Sequence, residues 1–277
     1  MPNQKQIWAL MSATAGGEAA PPPSWDNEYS LEFDGVDDFL SIYDGGSGNG
    51  PFQFTASDSF TFSAWIKTSS TAATNQIISF RGTALLWFST FSTSGNIRLK
   101  AYLRDDSSNV VSIDSYNSAS GWIAADTWTN VVFTRNASTN ELNLYINGSA
   151  AQATVTDTTS DDFTDYDKLS IANDNYSGGR YWYDGMIDEV SIWSSALSGT
   201  DVATLASGPN DLKTALSSTP VAWWRNGDSG TFFASEWDIP DQMKIDNWSS
   251  YSMAFDGVDD YINTGTCALD GATELTV

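Results

Sequence analysis

The chain has 277 residues, and 35 acidic against 12 basic side chains leave a net charge of −23. Nucleic acid and anionic membrane are excluded as partners, because both need a cationic surface. With no His and one Cys, the Ser-His-Asp triad, the Cys-His pair, His- or Cys-built zinc sites, His-ligated haem and an intrachain disulfide are excluded too, while 41% hydrophobic residues suffice for a folded core.

Residues 1–26 read as a tail. Ile7-Trp8-Ala9-Leu10-Met11 is shorter than the ~7–15 apolar residues of a signal-peptide core, and Pro21-Pro22-Pro23 favours an extended backbone that keeps the tail clear of the domain beginning at residue 27. The expected role is an anchor on another protein. Ile7, Trp8, Leu10 and Met11 would enter a groove or join a sheet edge, with Trp8 the main contact because one indole buries so much area.

Residues 29–42 (YSLEFDGVDDFLSI) open the first strands, and they return near the end of the chain as 251–262 (YSMAFDGVDDYI). The hexapeptide Phe33-Asp34-Gly35-Val36-Asp37-Asp38 recurs unchanged as Phe255 to Asp260, an offset of 255 − 33 = 222 residues. A solenoid repeats every ~20–50 residues, so this spacing points to two copies of one domain. The first would span 27–207, followed by a connector at 208–248 and the opening strands of an incomplete second copy at 249–277.

Within the first copy, strand patterns succeed one another. Ser59 to Ile66, Ile97 to Arg104 and Leu142 to Ile146 alternate apolar and polar residues with period two. Thr129 to Arg135 is short and rich in β-branched residues. Asn147-Gly148 after a strand is a tight-turn signal. Polar clusters such as Gly45 to Gly50 and Asp157 to Asp165 separate the strands. Ser198 to Leu205 is the one good helix in this domain, with Ser198 as N-cap and Asp201 three residues on. Many short strands with polar turns specify an all-β antiparallel sandwich.

Four segments in this order resemble a known family. They are Leu31 to Ile42 (LEFDGVDDFLSI), Phe60 to Lys67 (FTFSAWIK), Trp128 to Gly148 (WTNVVFTRNASTNELNLYING) and Tyr183 to Leu197 (YDGMIDEVSIWSSAL). Together they are similar to laminin-G-like, concanavalin-A-like jelly-roll domains, close to the pentraxins. The resemblance implies two packed antiparallel sheets and a binding activity, often toward glycans or surface proteins and often with calcium.

Three constellations carry the candidate chemistry. Asp34, Asp37 and Asp38 form an acidic knot beside Gly35. It reads either as turn structure, with Asp side chains capping backbone amides, or as a calcium site closed by Asp188 from the last strand, since calcium takes 6–8 oxygen ligands. Tyr176, Arg180, Tyr181 and Trp182 flank a Gly-rich loop with Asn173 and Asp174, a composition that suits a glycan. Trp87, Phe88 and Phe91 make a second candidate platform, part of it core. The E-x-D-x-E strand of concanavalin-A-like glucanases is missing, and the chain has only seven Glu, which disfavours a glycoside hydrolase.

The reading is therefore a non-enzymatic recognition or decoration protein. Its expected place is the surface of a large assembly, a virion, where it binds glycan or a surface protein. A bacterial surface or secreted adhesin is the alternative. Membrane insertion is not expected, for no run approaches ~20 apolar residues.

Overall fold

A computed structural model describes residues 30–45, 50–68, 74–116, 121–174, 181–208, 211–226, 231–233 and 236–238. The expected anchor residues Ile7, Trp8, Leu10 and Met11, the loop residues Tyr176 and Arg180, and the repeat at 249–277 lie outside the described residues.

Seventeen strands and one helix succeed one another in chain order among the described residues. The first six strands are β1 (Leu31–Asp34), β2 (Leu40–Asp44), β3 (Phe60–Lys67), β4 (Asn75–Gly82), β5 (Leu85–Thr93) and β6 (Asn96–Arg104). Then come β7 (Val110–Asp114), β8 (Trp122–Ile123), β9 (Thr129–Asn136), β10 (Glu141–Ile146), β11 (Ser149–Ala150), β12 (Val155–Thr156), β13 (Tyr166–Ile171) and β14 (Asp184–Trp193). Helix α1 (Gly199–Ala206) precedes β15 (Ala222–Trp224), β16 (Thr231–Phe233) and β17 (Glu236–Asp238).

The strands form two antiparallel sheets. The larger has the order β11-β10-β9-β3-β14-β15-β16-β17, with β1 also on β14 and β12 on β10. The smaller has the order β2-β13-β4-β5-β6-β7, with β8 also on β6. Chain neighbours are joined by hairpins where the turn chemistry allows it. Between β10 and β11, Asn147 and Gly148 both take positive φ, 48° and 76°, as a two-residue hairpin loop requires.

Period-two alternation decides what each sheet buries. Phe60, Phe62, Ala64 and Ile66 of β3 and Ile97, Leu99, Ala101 and Leu103 of β6 turn inward and are almost completely buried. Between the sheets Phe54 stacks on Phe60 at 4.6 Å, and Phe62 on Phe80 at 5.5 Å. These offset contacts add about 0.5–1.5 kcal/mol each beyond area burial.

The outer face of the larger sheet is closed as well. A second cluster joins Val132, Trp193 and Trp223 on that face to Val202 and Leu205 of α1 and to Leu212. The helix starts where the sequence places it: Ser198 Oγ accepts the Asp201 amide while Asp201 reaches back to Ser198. Leu212, Ala222, Trp223 and Trp224 are all buried. Packing therefore runs on into the segment expected to be a connector, because its apolar residues complete β14's pairing with β15. Trp193 is a core residue as its strand position implies. Trp65 stays half-buried and Trp128 is 37% exposed, since both lie at outward or strand-end positions.

Candidate functional site

No helix lies over the outer face of the smaller sheet among the described residues. Its side chains are set by register. Ser41, Ser170, Ser79, Trp87, Tyr102 and Ser112 form one row across six strands. Strand β6 presents Arg98, Lys100, Tyr102 and Arg104 outward, because Leu99, Ala101 and Leu103 between them are core.

The centre of this face is aromatic. Trp87 of β5 lies 5.3 Å from Tyr102 of β6, tilted by 33°, and 6.0 Å edge-on from Tyr181. The Arg81 guanidinium sits 5.8 Å from the Trp87 ring centroid, a cation–π distance. Tyr181 is held there with φ at +57°, an unusual conformation for an aromatic residue, while its carbonyl accepts the Gln76 amide at 2.9 Å.

Polar atoms line the β2–β13–β4 side of the same face. Ser41 Oγ, Ser79 Oγ and both polar atoms of the Gln76 side chain are buried without a hydrogen-bond partner among the described residues. An unmet buried polar group costs ~1–3 kcal/mol, and ordered water meets such groups in folded proteins.

A second aromatic station lies toward the β7–β8 edge. Arg98 is buried beneath two exposed rings, 5.2 Å from Tyr116 and 5.3 Å from Trp122. Those rings are 53% and 52% exposed, the largest values for aromatic side chains among the described residues. Arg98 is fixed by an Nη1 donation to the Ser115 carbonyl at 2.8 Å, and its Nε has no hydrogen-bond partner among the described residues.

The structure brings some of the expected residues together and separates others. The two platforms read from sequence converge, because Tyr181 meets Trp87. Phe91 is half-buried on the same face, whereas Phe88 is core. Trp182 turns away and packs 5.6 Å from Phe39 against the core. Sequence reasoning passed over Tyr102, Arg81, Gln76, Arg98 and Lys100, although the alternation of residues 97–104 already grouped the β6 members on one face.

At the rim, Asp34, Asp37 and Asp38 do converge, with carboxylate oxygens within 4.8 Å of one another. They also build the turn. Asp34 Oδ1 accepts the Val36 amide at 2.8 Å, and Asp38 Oδ2 accepts the Asp34 amide at 3.3 Å. Burial, and then the charges of Asp34 and Asp37, raise the Asp38 carboxyl above the ordinary Asp range. Gly35 is required there: its φ is +75°, and a Cβ would stand 2.8 Å from the Asp184 Cβ. The β14 carboxylate opposite Asp34 is Asp184. Asp188 lies four residues further along, buried, with its Oδ1 accepting the Glu189 amide at 2.7 Å. The closing role expected of Asp188 therefore does not fit the register.

The sequence profile of the concanavalin A-like lectin/glucanases superfamily matches residues 25–203. No curated protein sequence matches the chain significantly. Among solved structures, the heptameric SAP-like pentraxin from Limulus polyphemus is similar at 19% identity and a TM-score of 0.43, over 61% of this chain and 82% of that one. Domain 4 of the extracellular GH43 arabinanase AbnA from Geobacillus stearothermophilus, solved with arabinotriose, is similar at 19% identity and a TM-score of 0.45, over 64% of this chain and 76% of that one. The botulinum neurotoxin serotype G binding domain is similar at 19% identity and a TM-score of 0.43, over 55% of this chain. The chain spans only 36% of that domain's length.

Proposed function

The chain belongs to the concanavalin A-like lectin/glucanases superfamily, and we propose that it is a non-catalytic glycan-recognition module whose ligand lies on the outer face of the smaller sheet. The observation that carries this reading is the Tyr181–Trp87–Tyr102 cluster with Arg81, set on a sheet face that no described helix covers. Aromatic faces meet the apolar faces of sugar rings, and the partly exposed Lys100 and Tyr102 side chains beside them offer polar contacts for hydroxyls.

The carboxylates on this face favour binding over hydrolysis. Asp44 and Asp114 occupy its outward paired positions, on β2 and β7. Five strand spacings at ~4.8 Å separate those strands by about 24 Å. A glycosidase holds its two carboxyl groups ~5–9.5 Å apart. Asp44 is also ion-paired with Lys168 at 3.4 Å, and Asp114 Oδ1 accepts the Tyr116 amide at 3.0 Å.

Within the same proposal the module is displayed from a large assembly such as a virion, held by Ile7, Trp8, Leu10 and Met11 of the tail. Calcium at Asp34, Asp37 and Asp38 is a further part of it. Three converging carboxylates fit the oxygen preference of that ion, with water and backbone carbonyls left to complete its shell. Glycan-array binding of the chain and of Trp87→Ala tests the central reading. The expected result is binding to a defined glycan set that the variant loses. Array binding that Trp87→Ala leaves unchanged would contradict it. Deletion of residues 2–20 tests the anchor: glycan binding should persist while incorporation into the particle is lost, and continued incorporation would remove the tail from the account.

A further inference from the structure

We infer that the ligand of this face is an acidic oligosaccharide, carrying carboxylate or sulfate groups, that runs along β5 and β6 and touches both aromatic stations. The inference rests on the glycan reading above and adds charge and length to it.

Charge is unevenly distributed on this protein. Acidic side chains outnumber basic ones 35 to 12. Yet the outer face of the smaller sheet holds Arg81, Arg98, Lys100, Arg104 and Lys168, five of those 12 cations. Strand β6 alone places three of them at outward positions and no acid. An exposed strand face needs only polar residues there, and like charges two residues apart repel. Contacts within the fold hold Arg104, Arg98, Arg81 and Lys168, and Lys100 at the centre is the cation that an anionic ligand explains best.

Among the described residues, Lys100, Arg104 and Arg98 form no ion pair with a carboxylate. Lys100 is half-exposed in the middle of the face, opposite Asp114 of β7, and forms no ion pair among the described residues. Arg104 donates only to the carbonyls of Gly82 and Thr83. The buried Arg98 leaves its Nε unmet. Lys168 is paired with Asp44.

Strand geometry sets the length. Trp87 and Phe91 are four residues apart on β5, or about 13 Å at ~3.3 Å per residue. Phe91 pairs with Arg98, and Arg98 with Trp122, so the second station starts where that span ends. Lys100, paired across the sheet with the buried Ser89, lies in the interval. A single sugar cannot reach both stations, and an oligosaccharide can.

Isothermal titration with four probes tests the proposal: a galacturonate hexamer, a heparin-derived hexasaccharide, neutral cellohexaose, and a thymidylate oligonucleotide of matched charge. At least one acidic sugar should bind tenfold or more tighter than cellohexaose, and weaken as salt rises. The galacturonate and heparin arms tell carboxylate from sulfate. Lys100→Glu should lower that affinity at least tenfold, and the neutral Lys100→Gln, which adds no repulsion toward Asp114, about three- to fivefold. Lys67→Glu, on the other sheet, should leave it unchanged. Equal affinity for neutral and acidic sugars, or no response to either Lys100 variant, overturns the acidic ligand while leaving the glycan module standing if Trp87→Ala still abolishes binding. Equal binding of the oligonucleotide overturns it in favour of unspecific charge attraction. No sugar binding in any arm overturns both.

Discussion

Replacing Arg135 by Ala should be among the most damaging single changes in this domain. The side chain is 2% exposed and its Nε donates to Asp157 Oδ2 at 2.6 Å, with Asp157 itself 1% exposed. Its two other nitrogens donate to the carbonyls of Asp58 and Ala56 at 2.5 and 2.9 Å. The guanidinium also lies 5.1 Å from the Phe163 ring and 5.7 Å from Phe60. It thus ties β9 of the larger sheet to the turn before β3 and to the segment that leads into β13 of the smaller one. Truncation leaves the Asp157 charge buried with only the Thr159 amide and hydroxyl as donors. Breaking a buried pair in this way costs about 3–5 kcal/mol. The freed carbonyls sit in a half-exposed turn where water reaches them, so they add little. For a domain of this size the loss corresponds to roughly 6–20 °C in Tm. Urea unfolding of Arg135→Ala, Arg135→Met, Asp157→Leu and the double variant Arg135→Met/Asp157→Leu reads the coupling. The double variant should be more stable than Arg135→Ala, because no orphaned charge remains. A loss below about 1 kcal/mol for Arg135→Ala, or a double variant less stable than it, would refute the reasoning.

Three further outcomes are expected. Trp87→Ala should cost about 2 kcal/mol of glycan affinity, roughly 30-fold, while shifting the urea midpoint little, since the indole is half-exposed; a large midpoint shift with unchanged affinity contradicts that. Stability should fall steeply in acid. Burial alone would raise the carboxyls of Asp105 and Asp201, but hydrogen bonds from Ser160 and Asn109, and from Ser198 and Ser217, outweigh it and hold both below the ordinary Asp value. Their contribution is complete above that ordinary value and is lost as pH falls through the lower folded-state values, because unfolding then takes up protons. Unfolding free energies measured from pH 5 to pH 2 should show a shallower decline for Asp105→Asn, and an unchanged slope would remove Asp105 from this account. Calcium should raise Tm, and Asp37→Ala should reduce the gain; identical melting curves with calcium and with chelator would dismiss the ion.

Much of the fold was legible because period-two alternation is a local property. Residues 60–66, 97–104 and 142–146 announce their strands, and Ser198 with Asp201 announces the helix. The extent of the packed unit was less legible. Leu212 is an isolated apolar residue and Val221 to Trp224 a short apolar run in an otherwise polar stretch, and only the cluster beneath α1 and the β14–β15 pairing show what they bury against. The binding face was legible in pieces. Trp87 and Tyr181 were both singled out, but 94 residues separate them, and their meeting depends on the β13–β4 pairing that brings the loop beside Gln76. Register also explains the misplacement of Asp188: β14 holds three carboxylates, Asp184, Asp188 and Glu189, and only the pairing of β1 with β14 selects Asp184.

Hydrogen-exchange mass spectrometry of the chain, with and without its best-binding glycan from the array, tests the location of the ligand most directly. Amide protection should rise in residues 75–104, at Tyr116 and in residues 121–123, which carry both aromatic stations. Protection confined to residues 34–38 and their neighbours on β14, with the sheet face unchanged, would contradict the account and move binding to the acidic rim.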